Sequence, residues 1–101
     1  MAIATITEYK AAKIVEGCGT LQIPDEEAIV AVQSVDFTAG ATQSAAFNVA
    51  TLFVEVAVDT ACYVAYGTNP TATTSSRYQP VDAIRFSGVK DGKKLSFLVK
   101  T

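Results

Sequence analysis

Carboxylates are the side chains of this sequence that could perform acid–base chemistry, because the chain has 10 Asp and Glu residues and no histidine. Histidine is the commonest general base and the usual partner of a serine or cysteine nucleophile. Glu55 and Asp59 are the best carboxylate pair for glycoside hydrolysis, since both would face one side of a strand. At ~3.3 Å per residue they would stand ~13 Å apart, which is too wide for either glycosidase geometry. We therefore expect no enzymatic activity.

No cofactor or metal site is expected either. The two cysteines, Cys18 and Cys62, are separated by 43 residues and lack the spacing of zinc ligands. The acidic run at residues 25–27 lacks the alternating ligands of a calcium loop. The chain contains none of the common nucleotide-binding or hydrolase motifs. Cys62 is expected to be a small apolar strand residue and Cys18 a turn residue, both reduced; a disulfide between them stays an open alternative.

The charge distribution argues against nucleic-acid and membrane partners. The net charge is −2, and the densest basic stretch, at residues 90–94, is interrupted by Asp91. Nucleic-acid binding needs clustered Lys and Arg that neutralise phosphates, whereas this stretch fits a solvated turn. No apolar run approaches the ~18 residues of a membrane span, and the first residues do not resemble a signal peptide. We expect a chain that is made in the cytosol and stays soluble, unless it is exported as part of an assembly.

The hydrophobic half of the composition is dominated by small side chains. The chain has 101 residues, of which 50% are hydrophobic, with no Trp and one Met. A domain of this length buries roughly two-thirds of its unfolded surface, so one modest core is expected. Because Ala and Val fill only thin layers, we expect further apolar burial between subunits and hence a homo-oligomer.

The secondary structure that the sequence predicts consists of short strands. Alternation at period two is clearest over residues 51–59 and predicts one core-facing set, Leu52, Val54, Val56 and Val58. The same reasoning predicts inward side chains on three later strands: Cys62, Val64 and Tyr66; Ile84 and Phe86; Leu95, Phe97 and Val99. About seven short strands with frequent turns predict an all-β fold, a small antiparallel β-sandwich or jelly-roll-like barrel. We assign the sandwich to residues 28–101 and an extended N-terminal arm with its connection to residues 1–27.

A polar, almost uncharged loop follows the strand that begins at Cys62 and extends from residue 67 to residue 80. Asn69-Pro70 favours a turn, and the Thr, Ala and Ser residues that follow can cap their own backbone groups. We interpret the loop as an ordered contact surface; a flexible linker is the alternative.

Aromatic and polar side chains give the candidate interface. Exposed aromatic residues and arginine often anchor interfaces, although a small sandwich also exposes some aromatic area without any function. Tyr63 and Tyr66 should lie on opposite faces of one strand. The candidate interface residues are Tyr9, Phe53, Tyr63, Tyr66, Asn69, Arg77 and Tyr78.

Six segments carry a family resemblance: ITEY (6–9), QSAAFN (43–48), FVEV (53–56), the stretch 62–77 with YGTNPTAT (66–73), FSGV (86–89) and KL (94–95). Together they resemble small structural proteins of tailed bacteriophages and prophages of Gram-negative bacteria, over most of the chain. The resemblance implies a virion component, a capsid decoration (cement) protein on the head surface, with the major capsid protein or another virion protein as its partner. Lys93 and Lys94 depart from the family pattern, which often has a more apolar last strand with His or Gly near Gly92.

Two other functions stay open at this point. One is a tail or head-fibre module that binds a host-surface glycan through a patch of Tyr63, Tyr66, Arg77 and Tyr78. The other is a cellular binding module unrelated to phage, which the neighbouring genes would distinguish.

Overall fold

A computed structural model of the protein describes residues 2–15, 21–24 and 26–100. The described residues form strands joined by turns, with a single short 3-10 turn at Glu26–Ala28. No helix within these ranges is long and apolar enough to cross a membrane. The strands are β1 Ile3–Tyr9, β2 Ala12–Val15, β3 Leu21–Pro24, β4 Ile29–Asp36, β5 Thr42–Gln43, β6 Phe53–Val58, β7 Cys62–Gly67, β8 Arg77–Gln79, β9 Arg85–Gly88 and β10 Lys94–Val99.

The strands form two four-stranded antiparallel sheets that pack on a common core. The first sheet has the order β4-β1-β6-β9 and the second has the order β5-β10-β7-β8. Strands β2 and β3 pair with each other in a separate two-stranded ribbon. The predicted all-β class and the small antiparallel β-sandwich are thus confirmed.

The core lies between the sheets and follows the alternation of the inner strands. Val54 and Val56 of β6 and Leu95 of β10 are almost fully buried, as the sequence predicts. Phe37, just after β4, stacks on Phe97 of β10 with the ring centroids 5.6 Å apart. This contact joins the two sheets, because the two rings come from opposite sides of the sandwich. The buried cluster is Ala2, Ala4, Ile6, Val35, Phe37, Phe47, Val54, Val56, Val58, Cys62, Val64, Leu95 and Phe97.

Two side chains predicted to face the core are instead exposed at strand ends. Leu52 is 61% exposed and Tyr66 is 46% exposed. Leu52 precedes the first residue of β6, and Tyr66 is the penultimate residue of β7. Period-two alternation assigns a side of the sheet, but it does not say where the opposite sheet stops covering that side.

The inward prediction for Ile84 and Phe86 is wrong. They are 60% and 52% exposed. The β6–β9 register pairs Val56 with Arg85 and Glu55 with Phe86. Since paired residues share a face, Phe86 lies on the outer face with Glu55. Strand β9 is an edge strand, so only one neighbour fixes its register and its short sequence does not reveal that register.

The N-terminal residues differ from the predicted arm. Strand β1 lies between β4 and β6, pairing with both, and Ala4 and Ile6 are fully buried. Residues 3–9 are therefore an interior part of the sandwich, which the sequence analysis assigned to residues 28–101. The next inward position after Ala4 and Ile6 is Glu8, and this charged residue conceals the alternation.

Cys62 is a free thiol that is fully buried on β7. Burial raises the pKa of the Cys62 thiol to about 11, partly offset by the charge of Arg85. The side chain is therefore neutral near pH 7 and packs as a small apolar group, as predicted. Cys18 lies outside the described residues.

Candidate functional site

The structure distributes the candidate interface residues over separate surfaces. Tyr9 and Phe53 lie on the outer face of the first sheet, and Tyr63 and Tyr78 lie on the outer face of the second sheet. Tyr66 lies at one end of the sandwich, Asn69 in the long loop and Arg77 on an edge strand.

Tyr9 and Phe53 form a stacked pair on the first sheet. They are register partners on β1 and β6, with ring centroids 4.9 Å apart and planes 11° apart. Tyr9 is only 4% exposed, so it supports Phe53 rather than projecting from the surface. Burial raises the pKa of the Tyr9 phenol, and the carboxylates of Glu55 and Glu26 and a hydrogen bond to Glu55 add to this effect. Tyr9 therefore remains neutral over the physiological pH range.

The outer face of the first sheet presents a continuous row of side chains across all four strands. The register aligns Val32 of β4 with Thr7 of β1, Glu55 of β6 and Phe86 of β9. Val32 is 61% exposed, and Phe86, as noted, is also largely exposed. We call this row, together with Phe53, the first-sheet face; Glu55 is its only charged residue.

The second sheet presents an aromatic pair with a nearby cation. Tyr63 of β7 and Tyr78 of β8 are register partners, with centroids 6.1 Å apart and planes at 60°. The Lys100 ammonium lies 5.9 Å from the centroid of the Tyr78 ring. This is an edge-to-face aromatic pair with a cation–π contact.

Two of the three remaining candidates accept a hydrogen bond, and the third, Arg77, lies near a like charge. The hydroxyl oxygen of Tyr66 accepts a hydrogen bond from the Lys90 backbone N–H at 2.9 Å. The side-chain oxygen of Asn69 accepts one from Gln43 Nε2 at 2.7 Å. Arg77 lies on edge strand β8, where burial and the nearby positive charge of Arg85 lower the pKa of its guanidinium.

The long loop is folded onto the second sheet. Ala72 is 2% exposed, and its backbone N–H donates to Ser96 Oγ of β10 at 3.0 Å. Within the loop, Thr73 N–H donates to Ser76 Oγ, and Ser76 N–H donates to the Thr73 carbonyl, both at 3.0 Å. Hydroxyl groups thus cap the loop's own backbone, so the structure supports the ordered interpretation rather than a linker.

Replacing Ser96 with alanine should loosen this loop. The Ser96→Ala variant leaves the buried N–H of Ala72 without its acceptor, which costs about 1–3 kcal/mol of unfolding free energy. Urea denaturation measures that loss, and hydrogen exchange of the Ala72 amide should become faster. Ser75→Ala, in the same loop but at an exposed position, is the control. Equal stability of the two variants would contradict the anchoring role.

The carboxylates considered for catalysis have structural partners. Glu55 is hydrogen-bonded to the Tyr9 phenol. Asp59 Oδ1 accepts hydrogen bonds from the Ile3 backbone N–H at 2.7 Å and from Thr60 Oγ1 at 3.0 Å. In the described part of the chain, no group of three His, Cys, Asp or Glu side chains is placed to hold a metal ion.

A buried polar network was missed by the sequence analysis. Glu8 is 2% exposed, and its carboxylate accepts hydrogen bonds from Thr51 Oγ1 at 2.7 Å, Asn48 N–H at 2.9 Å and Gln33 Nε2 at 3.0 Å. The other amide atom of Gln33, Oε1, accepts from the Ala45 N–H at 2.9 Å. The network ties β1 and β4 to the segment that crosses from the second sheet to the first.

A second buried polar residue bridges the two sheets. Gln79 of β8 is fully buried, and its Nε2 donates to the Val56 carbonyl of β6 at 3.0 Å. The same Nε2 lies 3.3 Å from the Ala83 carbonyl. Gln79 thereby closes the side of the sandwich where the edge strands β8 and β9 meet.

No protein-family model, curated protein or solved structure matches this chain. A functional assignment has to be argued from its own surfaces and from the resemblance carried by its sequence.

Proposed function

We propose that the protein is a non-enzymatic structural protein of a phage particle, and specifically a capsid decoration protein that binds the assembled head. The observation that carries the proposal is the first-sheet face, where Val32 and Phe86 are more than half exposed on either side of one charged residue. Phe86 also lies near Phe53 of the neighbouring strand on this outer face, and exposed aromatic side chains are common anchors of surfaces that contact another protein. The sequence resemblance to phage structural proteins supports a virion protein as the partner.

The proposed mechanism is stabilisation by mass action. A protein that binds the assembled shell but not its separated subunits shifts the equilibrium toward assembly. The first-sheet face supplies apolar contact area, and the ordered loop at residues 67–80 supplies neutral polar contacts. Neither surface requires a catalytic group. The major capsid protein is the partner, and association of several copies on the head extends the small apolar core of each one.

Binding to purified heads tests this proposal. Heads of the phage that encodes the chain, stripped of the protein, are mixed with purified protein and sedimented. The protein should sediment with heads and stay in solution with unassembled capsid subunits. Phe86→Ser should weaken binding roughly tenfold, since aromatic side chains dominate interface energetics. Val49→Ser is the control, because Val49 is 82% exposed and lies outside the first-sheet face. Failure of the unaltered protein to sediment with heads would overturn the proposal.

The aromatic pair on the second sheet favours a second candidate function, glycan binding by a tail or head-fibre module. The exposed ring of Tyr78 beside Tyr63 provides an aromatic surface of the kind on which a sugar ring can stack. Arg77 is on the same edge strand, whereas Tyr66 is at the sheet end and bonded to Lys90. A glycan array with no binding above background would count against this candidate.

A further inference from the structure

A pocket at one end of the sandwich adjoins the first-sheet face, because its lining residue Gly88 pairs with Phe53. It has a volume of about 480 Å³ and is open to solvent over much of its boundary. Its lining comes from the start of β6, the end of β7 and the turn between β9 and β10. The lining residues are Leu52, Tyr66, Gly88, Val89, Lys90 and Lys93. We call it the lysine pocket.

The walls of the lysine pocket are mainly apolar and unusually accessible. Leu52 is 61% exposed. Tyr66 contributes an aromatic ring that is nearly half exposed, and Val89 packs against the core while also reaching the pocket. An apolar floor of this kind favours an aliphatic or aromatic group in the ligand.

The polar groups of the pocket are hydrogen-bond donors. The Lys93 ammonium donates one hydrogen bond, to Thr68 Oγ1 at 2.8 Å, which leaves two of its N–H groups. The Tyr66 oxygen already accepts from the Lys90 backbone, so its own proton is available for another acceptor. Within the described ranges the Lys90 ammonium has no hydrogen bond or ion pair. No Asp or Glu lines the pocket.

We propose that the lysine pocket binds an acidic peptide segment of a partner protein, in which a carboxylate lies next to a large apolar side chain. The two ammonium groups and the phenol proton are complementary to a carboxylate, and Leu52 and Val89 are complementary to the apolar neighbour. A peptide segment fits better than a free small molecule because small-molecule sites bury most of their ligand, whereas this pocket is open. The proposal goes beyond the virion assignment and does not depend on it.

The test is a nuclear magnetic resonance titration of the full chain with a defined probe, the peptide acetyl-Asp-Phe-Asp-amide. Saturable shifts are expected for the amides of Leu52, Val89 and Lys90, and they should be at least roughly fivefold weaker with the Asn-Phe-Asn peptide. Sodium acetate is the third probe. Equal shifts with acetate, or with the Asn peptide, would overturn the proposal, because they would show adsorption of a simple anion or apolar contact alone.

Variants with matched controls locate the site. Lys90→Glu should weaken peptide binding roughly 5- to 10-fold, while Lys100→Glu, on the outer side of the second sheet, should leave it unchanged. Leu52→Asp should also weaken binding, compared with Ile84→Asp at a residue of nearly equal exposure (60%) that lies outside the pocket and the first-sheet face. The dispersed spectrum of each variant verifies its fold. Binding that survives Lys90→Glu and Leu52→Asp would overturn the proposal. If the protein binds the peptide but does not bind phage heads, the peptide-binding proposal stands and the proposal of a capsid decoration protein fails.

Discussion

Glu8→Ala is expected to destabilise the fold by about 3–5 kcal/mol, a large part of the ~5–15 kcal/mol that holds a domain of this kind together. The substitution leaves the buried Thr51 Oγ1 and the part-buried Asn48 N–H and Gln33 Nε2 without their shared acceptor. Each buried donor that loses its acceptor costs about 1–3 kcal/mol, and water entering the vacated space recovers part of that. The loss should appear as a lower urea midpoint with an unchanged slope.

Two further variants separate the network from a general effect of removing a carboxylate. Glu8→Gln keeps the shape and one acceptor oxygen but turns an NH₂ group toward donors, so it should fall between the parent and Glu8→Ala. Glu26→Ala removes an exposed carboxylate and should change stability by less than about 0.5 kcal/mol. If Glu8→Ala were as stable as Glu26→Ala, the hydrogen bonds of Glu8 would not stabilise the fold as described.

Phe97→Ala should cost about 3–5 kcal/mol through a different mechanism, the creation of a cavity between the sheets. Phe97 is fully buried and stacks on Phe37, so its removal leaves the Phe37 ring facing an empty space between the sheets. Urea denaturation again measures the change. Phe97→Leu keeps most of the volume and should cost about half as much or less.

The control for this prediction is an aromatic truncation on the surface. Phe86→Ala removes a ring that is 52% exposed and should cost less than about 1 kcal/mol. If Phe97→Ala and Phe86→Ala destabilised the protein equally, the core would not lie between the two sheets as described.

The sequence could predict which side chains face inward on interior strands. Such a strand pairs with a neighbour on each side and buries one face, so its register is fixed. Strands β6 and β10 are interior strands, and their apolar side chains alternate as expected, with Val54, Val56, Leu95 and Phe97 buried. Strand β9 is at an edge and only four residues long, so local alternation could not decide which of its sides faces inward. The outward position of Phe86 follows only from its pairing with β6.

The interior position of β1 could not be predicted because its inward side ends in a charged residue. A carboxylate is normally found at the surface, and burial of Glu8 is acceptable only because three donors meet it. Those donors are 25 to 43 residues away in the sequence. No local pattern contains that information, so the first strand resembled an arm when considered alone.

The sequence indicated which residue types could form contact surfaces, but not which of those residues lie together. The types of the aromatic side chains indicated contact surfaces, and the tyrosine pair of the second sheet does contain two of them. Their distribution over two sheets and one end depends on register, which the sequence leaves open. The lysine pocket was missed because its lining comes from segments around residues 52, 66 and 88–93 that meet only in the folded chain.

The melting temperature of phage heads with and without this protein distinguishes a capsid decoration protein from one that does not stabilise the shell. Calorimetry is carried out on heads stripped of the protein and on the same heads after purified protein is added back. We expect stripped heads to melt at a lower temperature and the added protein to restore the higher value, because a decoration protein binds the assembled shell and not its separated subunits. Heads that melt at the same temperature in both states would contradict the assignment as a capsid decoration protein.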